Sequence, residues 1–391
     1  MPNKSAILFI LFVLLLHSRL SMAQEDSAHK EPKFTIKGYI KYMDFVTFAG
    51  NATNLLTAEL FHNRLNFRYT PNEHFNCRLE LRNRLYYGEM VQNYPGFAAL
   101  ETPPTQPINT SKNWISQNSV ILNTTIDRAS IEYTGGKWDI TVGRQRINWG
   151  INTVWTPNDI FNTFNFFDFD YEERPGSDAG RVQYNINIAS SLEVDVSPGK
   201  TQQQDVTAVM YHLNRWNYDW QVFSGVYHKD YTAGLGWAGN LRDAGFKGEV
   251  SCFTPYGSYA DSSSVVASLS VDYGFKKGLY LLASVLYNSL GGDSSVNLLQ
   301  LSTQTLSAKN MFPFRYTSLV QASYPFTPLF KGSLGAMYSP TGNSIILLPS
   351  LTYSISNNWV LDFVAQSFYA QQNNAYKPLG SAIYMRVKWG F

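Results

Sequence analysis

Apolar and polar residues alternate one by one through long tracts of this 391-residue chain. A period of two is the mark of a strand with one apolar face, because successive side chains of a strand point to opposite sides. From Asn76 to Tyr87, one face holds Cys77, Leu79, Leu81, Leu85 and Tyr87, with Asn83 the exception. The other face holds Arg78, Glu80, Arg82, Arg84 and Tyr86. Ala129, Ile131 and Tyr133 alternate with Arg128, Ser130, Glu132 and Thr134. Val182, Tyr184, Ile186 and Ile188 alternate with Arg181, Gln183, Asn185 and Asn187. Ile383, Met385, Val387, Trp389 and Phe391 alternate with Tyr384, Arg386 and Lys388. No stretch keeps a 3.6-residue period beyond a turn or two.

Composition narrows what these strands can build. Only 15% of residues are charged, against roughly 25% in soluble domains. Aromatics reach 15%, yet the mean hydropathy is −0.21. The hydropathy excludes a helical membrane protein, which needs runs of roughly 20 apolar residues. The aromatics argue against disorder. One apolar face per strand and one wet face is what a barrel in lipid requires, since a closed sheet pairs every backbone polar group internally.

Strands are expected near 34–48, 55–70, 74–87, 126–134, 137–146, 179–187, 190–197, 203–213, 216–227, 230–239, 243–253, 262–273, 278–288, 313–324, 328–338, 344–354, 357–368 and 379–391. That makes an all-β, transmembrane, antiparallel up-and-down barrel of 18 strands, or 16 if one hairpin is overcounted. With the first strand starting in the periplasm, the short turns fall on that side. The long connections 88–125, 147–178, 289–312 and 369–378 fall outside, as in outer-membrane barrels. Tyr86, Tyr87, Trp138, Tyr273, Tyr287, Tyr324, Tyr338, Trp359 and Trp389 lie near strand ends, where interfacial girdles belong.

The leading residues set the compartment. Lys4, the apolar run 6–16 and Ser21-Met22-Ala23 read as a secretory signal peptide cleaved after Ala23. Residues 24–33 are then a short periplasmic segment, and 34–391 the barrel in the outer membrane of a Gram-negative bacterium. Cleavage removes Lys4 and Arg19, leaving 29 basic and 29 acidic residues. A neutral chain gives no sign of a nucleic-acid partner. Cys77 and Cys252 both sit on apolar faces and are expected to remain separate thiols. The partners implied are outer-membrane lipid, a small-molecule or saccharide solute, and the barrel-insertion machinery. The alternating strand ending on Phe391 resembles the C-terminal signal that this machinery reads.

The densest motif is Gly143-Arg144-Gln145-Arg146-Ile147-Asn148-Trp149-Gly150, followed by Val154-Trp155-Thr156-Pro157-Asn158-Asp159-Ile160-Phe161-Asn162. Over about residues 140–182 this resembles porin-like outer-membrane families, related in pattern to alginate-export-type barrels. The resemblance implies an outer-membrane channel for a small or polymeric solute. Read residue by residue, Thr156-Pro157 suits a helix start, with Thr as N-cap and Pro at N1. Asp159, Asp168, Asp170, Glu172, Glu173 and Asp178 lie beside Arg144, Arg146, Arg174 and Arg181. A loop this long and aromatic is expected to fold into the lumen and narrow it, its acids paired with wall arginines. Strict alternation would put Arg144 and Arg146 in lipid, so a bulge at Gly143 is expected to turn them inward. Asp168, Asp170 and Glu172 have a spacing that calcium could use, but no Gly supplies the sharp turn of such a site, and no metal or cofactor is assigned.

The inward faces set the lumen chemistry. His62, Arg64, Asn66 and Arg68 precede Arg78, Glu80, Arg82 and Arg84, then Arg128, Glu132 and Arg181; Arg386 and Lys388 lie on the last strand, beside the first. Residues 250–391 hold only eight Lys+Arg and four Asp+Glu, so a basic wall faces a neutral one. Such a lumen suits passive or selective passage of polar, anionic or saccharide solutes. The alternative is a surface-polysaccharide export, assembly or adhesion barrel. None of the five mature His residues lies in a nucleophile motif, so no enzyme is expected.

Overall fold

A computed structural model describes residues 32–49, 55–93, 97, 106–163, 173, 174, 176–257, 262–292 and 306–391. The expected signal peptide lies outside them. The chain divides into residues 1–33 and a second unit, Phe34–Phe391, which carries every strand.

Strands β1 (Phe34–Ala49), β2 (Leu55–Tyr69) and β3 (Phe75–Tyr87) lead to a short helix, α1 (Glu89–Asn93). Then come β4 (Ser111–Gln117), β5 (Val120–Gly135), β6 (Trp138–Gln145), β7 (Ser177–Asn187), β8 (Ser190–Ser197) and β9 (Val206–Arg215). β10 (Tyr218–Tyr227), β11 (Asp230–Leu241), β12 (Ala244–Pro255), β13 (Ser264–Gly274) and β14 (Tyr280–Asn288) follow. The last are β15 (Tyr316–Thr327), β16 (Phe330–Ser339), β17 (Ser344–Ser356), β18 (Trp359–Gln372) and β19 (Ala375–Gly390). All pairings between strands are antiparallel, and β19 returns to β1 from Tyr39↔Gly390 to Ala49↔Gly380. β3 pairs directly with β5, so eighteen strands close the barrel and β4 is an addition that pairs only with β5.

All eighteen expected strands are present. The short turns gather at one end and the loops 88–110, 146–176 and 289–315 at the other. The connection expected at 369–378 is instead a tight turn. β18 and β19 run on until only Asn373 and Asn374 separate them, at φ 52° and 63°. Asparagine tolerates the left-handed region that such a hairpin turn demands.

Exposure separates the faces. Val142, Val285, Val320 and Leu334 are 51–61% exposed along the outside, in an apolar band. Their neighbours Ser284, Leu319, Met337 and Ser339 are buried inside. Aromatic pairs ring the outer wall: Phe75–Tyr133, Trp138–Tyr184 and Trp359–Trp389 near the short turns, Tyr287–Tyr316 and Tyr231–Tyr256 near the long loops. Tyr86 is not among them. It shares the inner face with Arg84 and is buried. Cys77 and Cys252 are free thiols.

Candidate functional site: a lumen crossed by a loop

β6 is only eight residues long, and the Gly143–Gly150 motif is where the chain leaves the wall. Gly143 adopts φ 111°, and a Cβ there would lie 2.3 Å from the Ala129 carbonyl oxygen. Only glycine fits this position. β6 keeps one register with both neighbours, so the bulge expected at Gly143 is absent. A bulge does exist one strand earlier: Glu80 pairs with Arg128 and Leu81 with Ile126, leaving Asp127 extra. Two successive charged side chains, Asp127 and Arg128, thereby reach the lumen network.

Arg144 is buried, but not in the lumen. Its guanidinium donates to Asp178 at 2.7 and 2.8 Å, to the Ile108 carbonyl at 2.8 Å, and to the Thr110 hydroxyl. Asp178 in turn accepts from the Ile108 amide at 3.3 Å, and its own amide donates to Gln106 at 3.0 Å. Where β6 departs, β4 and residues 106–110 take its place beside β5, and the Arg144–Asp178 pair closes the seam. Arg146 is exposed and donates to Asn148 at 2.7 Å.

The loop then turns inward. Ile147, Trp149, Val154, Trp155, Ile160 and Phe161 are buried in one apolar cluster with the wall residues Met210, Phe223, Phe253, Leu282, Leu286 and Leu319. A second loop joins the same cluster through Ala308, Met311, Phe312 and Phe314. Lys309 pins it to Asp230 at 2.8 Å. The sequence reading gave no inward role to this second loop.

Polar wall groups clamp the first loop. Glu249 on β12, fully buried, accepts three loop amides: Ile151 at 2.6 Å, Asn152 at 2.5 Å and Asn158 at 2.8 Å. Trp149 donates its indole N–H to Glu193 at 2.8 Å, and its carbonyl accepts from Gln221 at 2.7 Å. Ser268 donates to the Trp155 carbonyl and Ser251 to Asn158. These contacts explain why no helix starts at Thr156: the Asn158 amide turns outward to Glu249, and only tight turns form, Asp159 N–H to Thr156 O and Ile160 N–H to Asn158 O. Asp159 is fully buried and pairs with Arg174 at 2.8 Å. Burial pushes its carboxyl up to about 6, against the opposing pull of Arg174 and Arg146.

The returning limb reaches the opposite wall. Arg64, 1% exposed, pairs with Glu80, Asp127 and the loop's Glu173. Arg82 pairs with Asp127 and Arg128 with Glu80, both at 3.1 Å. Arg128 also donates to the Arg174 carbonyl at 3.0 Å. Burial raises the Glu173 carboxyl above its ordinary range, and Glu80 and Asp127 add to this while Arg64 opposes it. The loop is therefore a strap, tied to β12 on one side and to β2 and β5 on the other.

The remaining expected residues take definite places. Arg78 pairs with Glu132 at 3.1 Å and is half-exposed. Arg68 donates to Asn76 and Arg84 to Tyr86, each at 3.0 Å. Arg181 pairs with Glu193 at 2.9 Å and Arg386 with Asp362 at 2.8 Å. Asp168, Asp170 and Glu172 lie outside the described residues. Among the described residues no group of three acidic, His or Cys side chains could hold a metal. Sequence reasoning missed Asp127, Glu193, Glu249 and Asp362. Glu249 and Glu193 carried a usable signal, as isolated acids at inward positions of alternating strands. Asp127 carried none, because the bulge breaks parity.

Solved structures share this fold. OccAB4 of Acinetobacter baumannii superimposes with a TM-score of 0.59 at 9% identity, over 93% of this chain and all of that one. OprD of Pseudomonas aeruginosa gives 0.57 at 8% identity, over 92% of this chain and 95% of that one. The P. aeruginosa outer membrane protein opdK gives 0.55 at 9% identity, over 91% and 98%. The fold is that of the OprD and Occ barrels. At such identities the likeness concerns fold alone. No protein-family model and no curated protein sequence matches the chain.

Proposed function

We propose that this chain is a porin-like channel of the Gram-negative outer membrane, passing small polar, anionic or saccharide solutes along the arginine-rich wall. The observation that carries it is the strap: a charged loop tied across the lumen of a closed barrel, against Arg64, Arg82 and Arg128. A pore needs only radius and lining charge, with no catalytic group. The likeness in fold to opdK, an outer membrane protein, supports the compartment. Loop 147–178 narrows the passage, and its undocking is the gate. Outer-membrane lipid surrounds the apolar band, and the barrel-insertion machinery acts during assembly.

The test is conductance of purified protein in planar bilayers. Current is expected, with ion selectivity shifted by Arg78→Gln and Arg82→Gln. Absence of current, even after deletion of 150–176, would overturn the channel.

One observation favours a second reading, polysaccharide export or adhesion without general pore activity. Two loops share a buried apolar cluster inside the barrel, as a plug would. The resemblance of the Gly143–Gly150 segment to alginate-export-type barrels agrees with it. Sealed bilayers with wild-type protein, together with loss of a surface polysaccharide in a deletion strain, would favour this reading.

A further inference from the structure

Beneath the strap lies a carboxylate that no donor reaches. Ser191, Glu193, Asp195 and Ser197 alternate along the inner face of β8, and all four are buried. Glu193 is well served: one oxygen accepts the Trp149 indole N–H at 2.8 Å, the other the Arg181 guanidinium at 2.9 Å. Asp195, two residues on, is fully buried, and neither of its oxygens receives a donor. Its register partners supply none. Ala208 stands opposite on β9, and Arg181, opposite on β7, turns to Glu193 instead. What Asp195 does meet is Glu193 itself: the two carboxyl groups lie within hydrogen-bonding reach of each other.

A buried polar atom without a partner is rare in a native fold and calls for an explanation. Two ionised carboxylates in contact and out of water repel each other, and one guanidinium cannot offset two charges. A single proton removes the conflict. Carried by Asp195, it makes an O–H that donates to Glu193, which keeps its charge, its arginine and its indole. The three side chains then sum to zero. Other groups near the pair do not change this count. Among the described residues only Arg181 forms an ion pair with it, and with Glu193 alone. Asp139 on β6 faces Arg181. His212 on β9 faces Glu193 without an ion pair, and Asp219 on β10 faces His212. From the strap, Trp149 is the neighbour, and it is uncharged.

We propose that Glu193 and Asp195 form a proton-binding site: in the docked protein the pair holds one proton, and that proton seats Trp149 and with it this part of the strap. Losing the proton to water leaves two adjacent carboxylates under the indole. Only water reaching them relieves the repulsion, so deprotonation lifts Trp149. The docked state binds one proton more than the undocked one, so this contribution to docking is present in acid and lost as pH rises. The inference rests on the docked strap and not on conductance, so it stands or falls apart from the channel reading.

The experiment records infrared spectra of the purified protein in H2O and D2O, from mildly acidic to alkaline pH. Wild type is expected to show a carboxylic-acid C=O band at neutral pH that shifts in D2O and fades at alkaline pH. Asp195→Asn should lack this band. Glu193→Gln, whose amide donates to Asp195 in place of the proton, should lack it as well. Asp219→Asn, which removes an exposed acid of β10, should keep it. Hydrogen exchange on peptides covering 147–162 reads the strap, with proteins compared at one pH so that intrinsic exchange cancels. The amide of Asp195→Asn donates to Glu193 at every pH. Protection in that variant should match wild type in mild acid and exceed it several-fold at alkaline pH. Absence of the band from wild type at neutral pH, or its persistence in both Asp195→Asn and Glu193→Gln, would overturn the proton site. Equal protection in wild type and Asp195→Asn at alkaline pH would overturn its hold on the strap.

Discussion

Removing Glu249 should detach the strap from β12. The carboxylate accepts three backbone amides in a site with no solvent exposure. In Glu249→Ala those donors remain buried without a partner, at about 1–3 kcal/mol each, or about 3–9 kcal/mol together. The lower end applies, since truncation also removes the cost of burying the carboxylate and makes room for water. Even about 3 kcal/mol shifts the docked-to-undocked ratio roughly a hundredfold. Glu249→Gln is intermediate. Its single oxygen can still serve Ile151 and Asn152, but its amino group faces the Asn158 N–H, donor against donor. Hydrogen exchange on peptides covering 147–162 should therefore accelerate in the order wild type, Gln, Ala. Open-state conductance should rise in the same order. Barrel integrity is checked separately by migration with and without boiling in detergent gels. Unchanged amide protection in Glu249→Ala, with an intact barrel, would refute the clamp.

Three further outcomes are expected. Asp159 holds its proton more tightly when docked, at about 6, than in an undocked loop near the ordinary carboxylate value. The docked state binds more protons between those values, so acid favours docking, by about 2–3 kcal/mol below both. Conductance should fall from pH 7 to pH 4.5 in wild type and lose much of that dependence in Asp159→Asn; a rise on acidification would contradict this. Gly143→Ala sets a methyl against the Ala129 carbonyl at φ 111° and should cost about 2 kcal/mol or more. A lowered temperature of heat modification in detergent gels checks it, and wild-type behaviour would show that the turn is not needed. Arg144→Ala unties residues 106–110 from Asp178, so limited proteolysis near Lys112 should speed up several-fold with the barrel intact; equal rates would mean the seam is held otherwise.

The wall was legible in the sequence because a strand in lipid must show alternation at nearly every position. Arg64, Arg68, Arg78, Arg82 and Arg84 could be assigned to the lumen from parity alone. Parity fails where the strand is locally irregular. Asp127 escaped because its bulge puts neighbouring charges on one side. Arg144 was misread because a gap in the sheet, filled by β4, offers a third environment that is neither lipid nor lumen. β4 itself is short and polar, Ser111–Gln117, and its order comes from the vacated edge of β5 rather than from its own pattern. The strap's inward course was legible from its length and aromatics. Its attachment to Glu249 was not, because the bonds run from backbone amides, which no side-chain pattern displays.

The pairing of β1 with β19 carries a consequence for assembly. Those strands stand at opposite ends of the barrel unit, so the join between Tyr39–Ala49 and Gly380–Gly390 is the most distant contact in the sheet and carries the largest loop-closure entropy. Both inward loops have their anchors on strands that lie between. Both leave the wall at an open end of the barrel, so neither needs that join in order to dock. The three-amide clamp on Glu249 closes only 91–98 residues of chain, so it costs less closure entropy and can draw the β6–β7 connection against β12 while the last edge is still open.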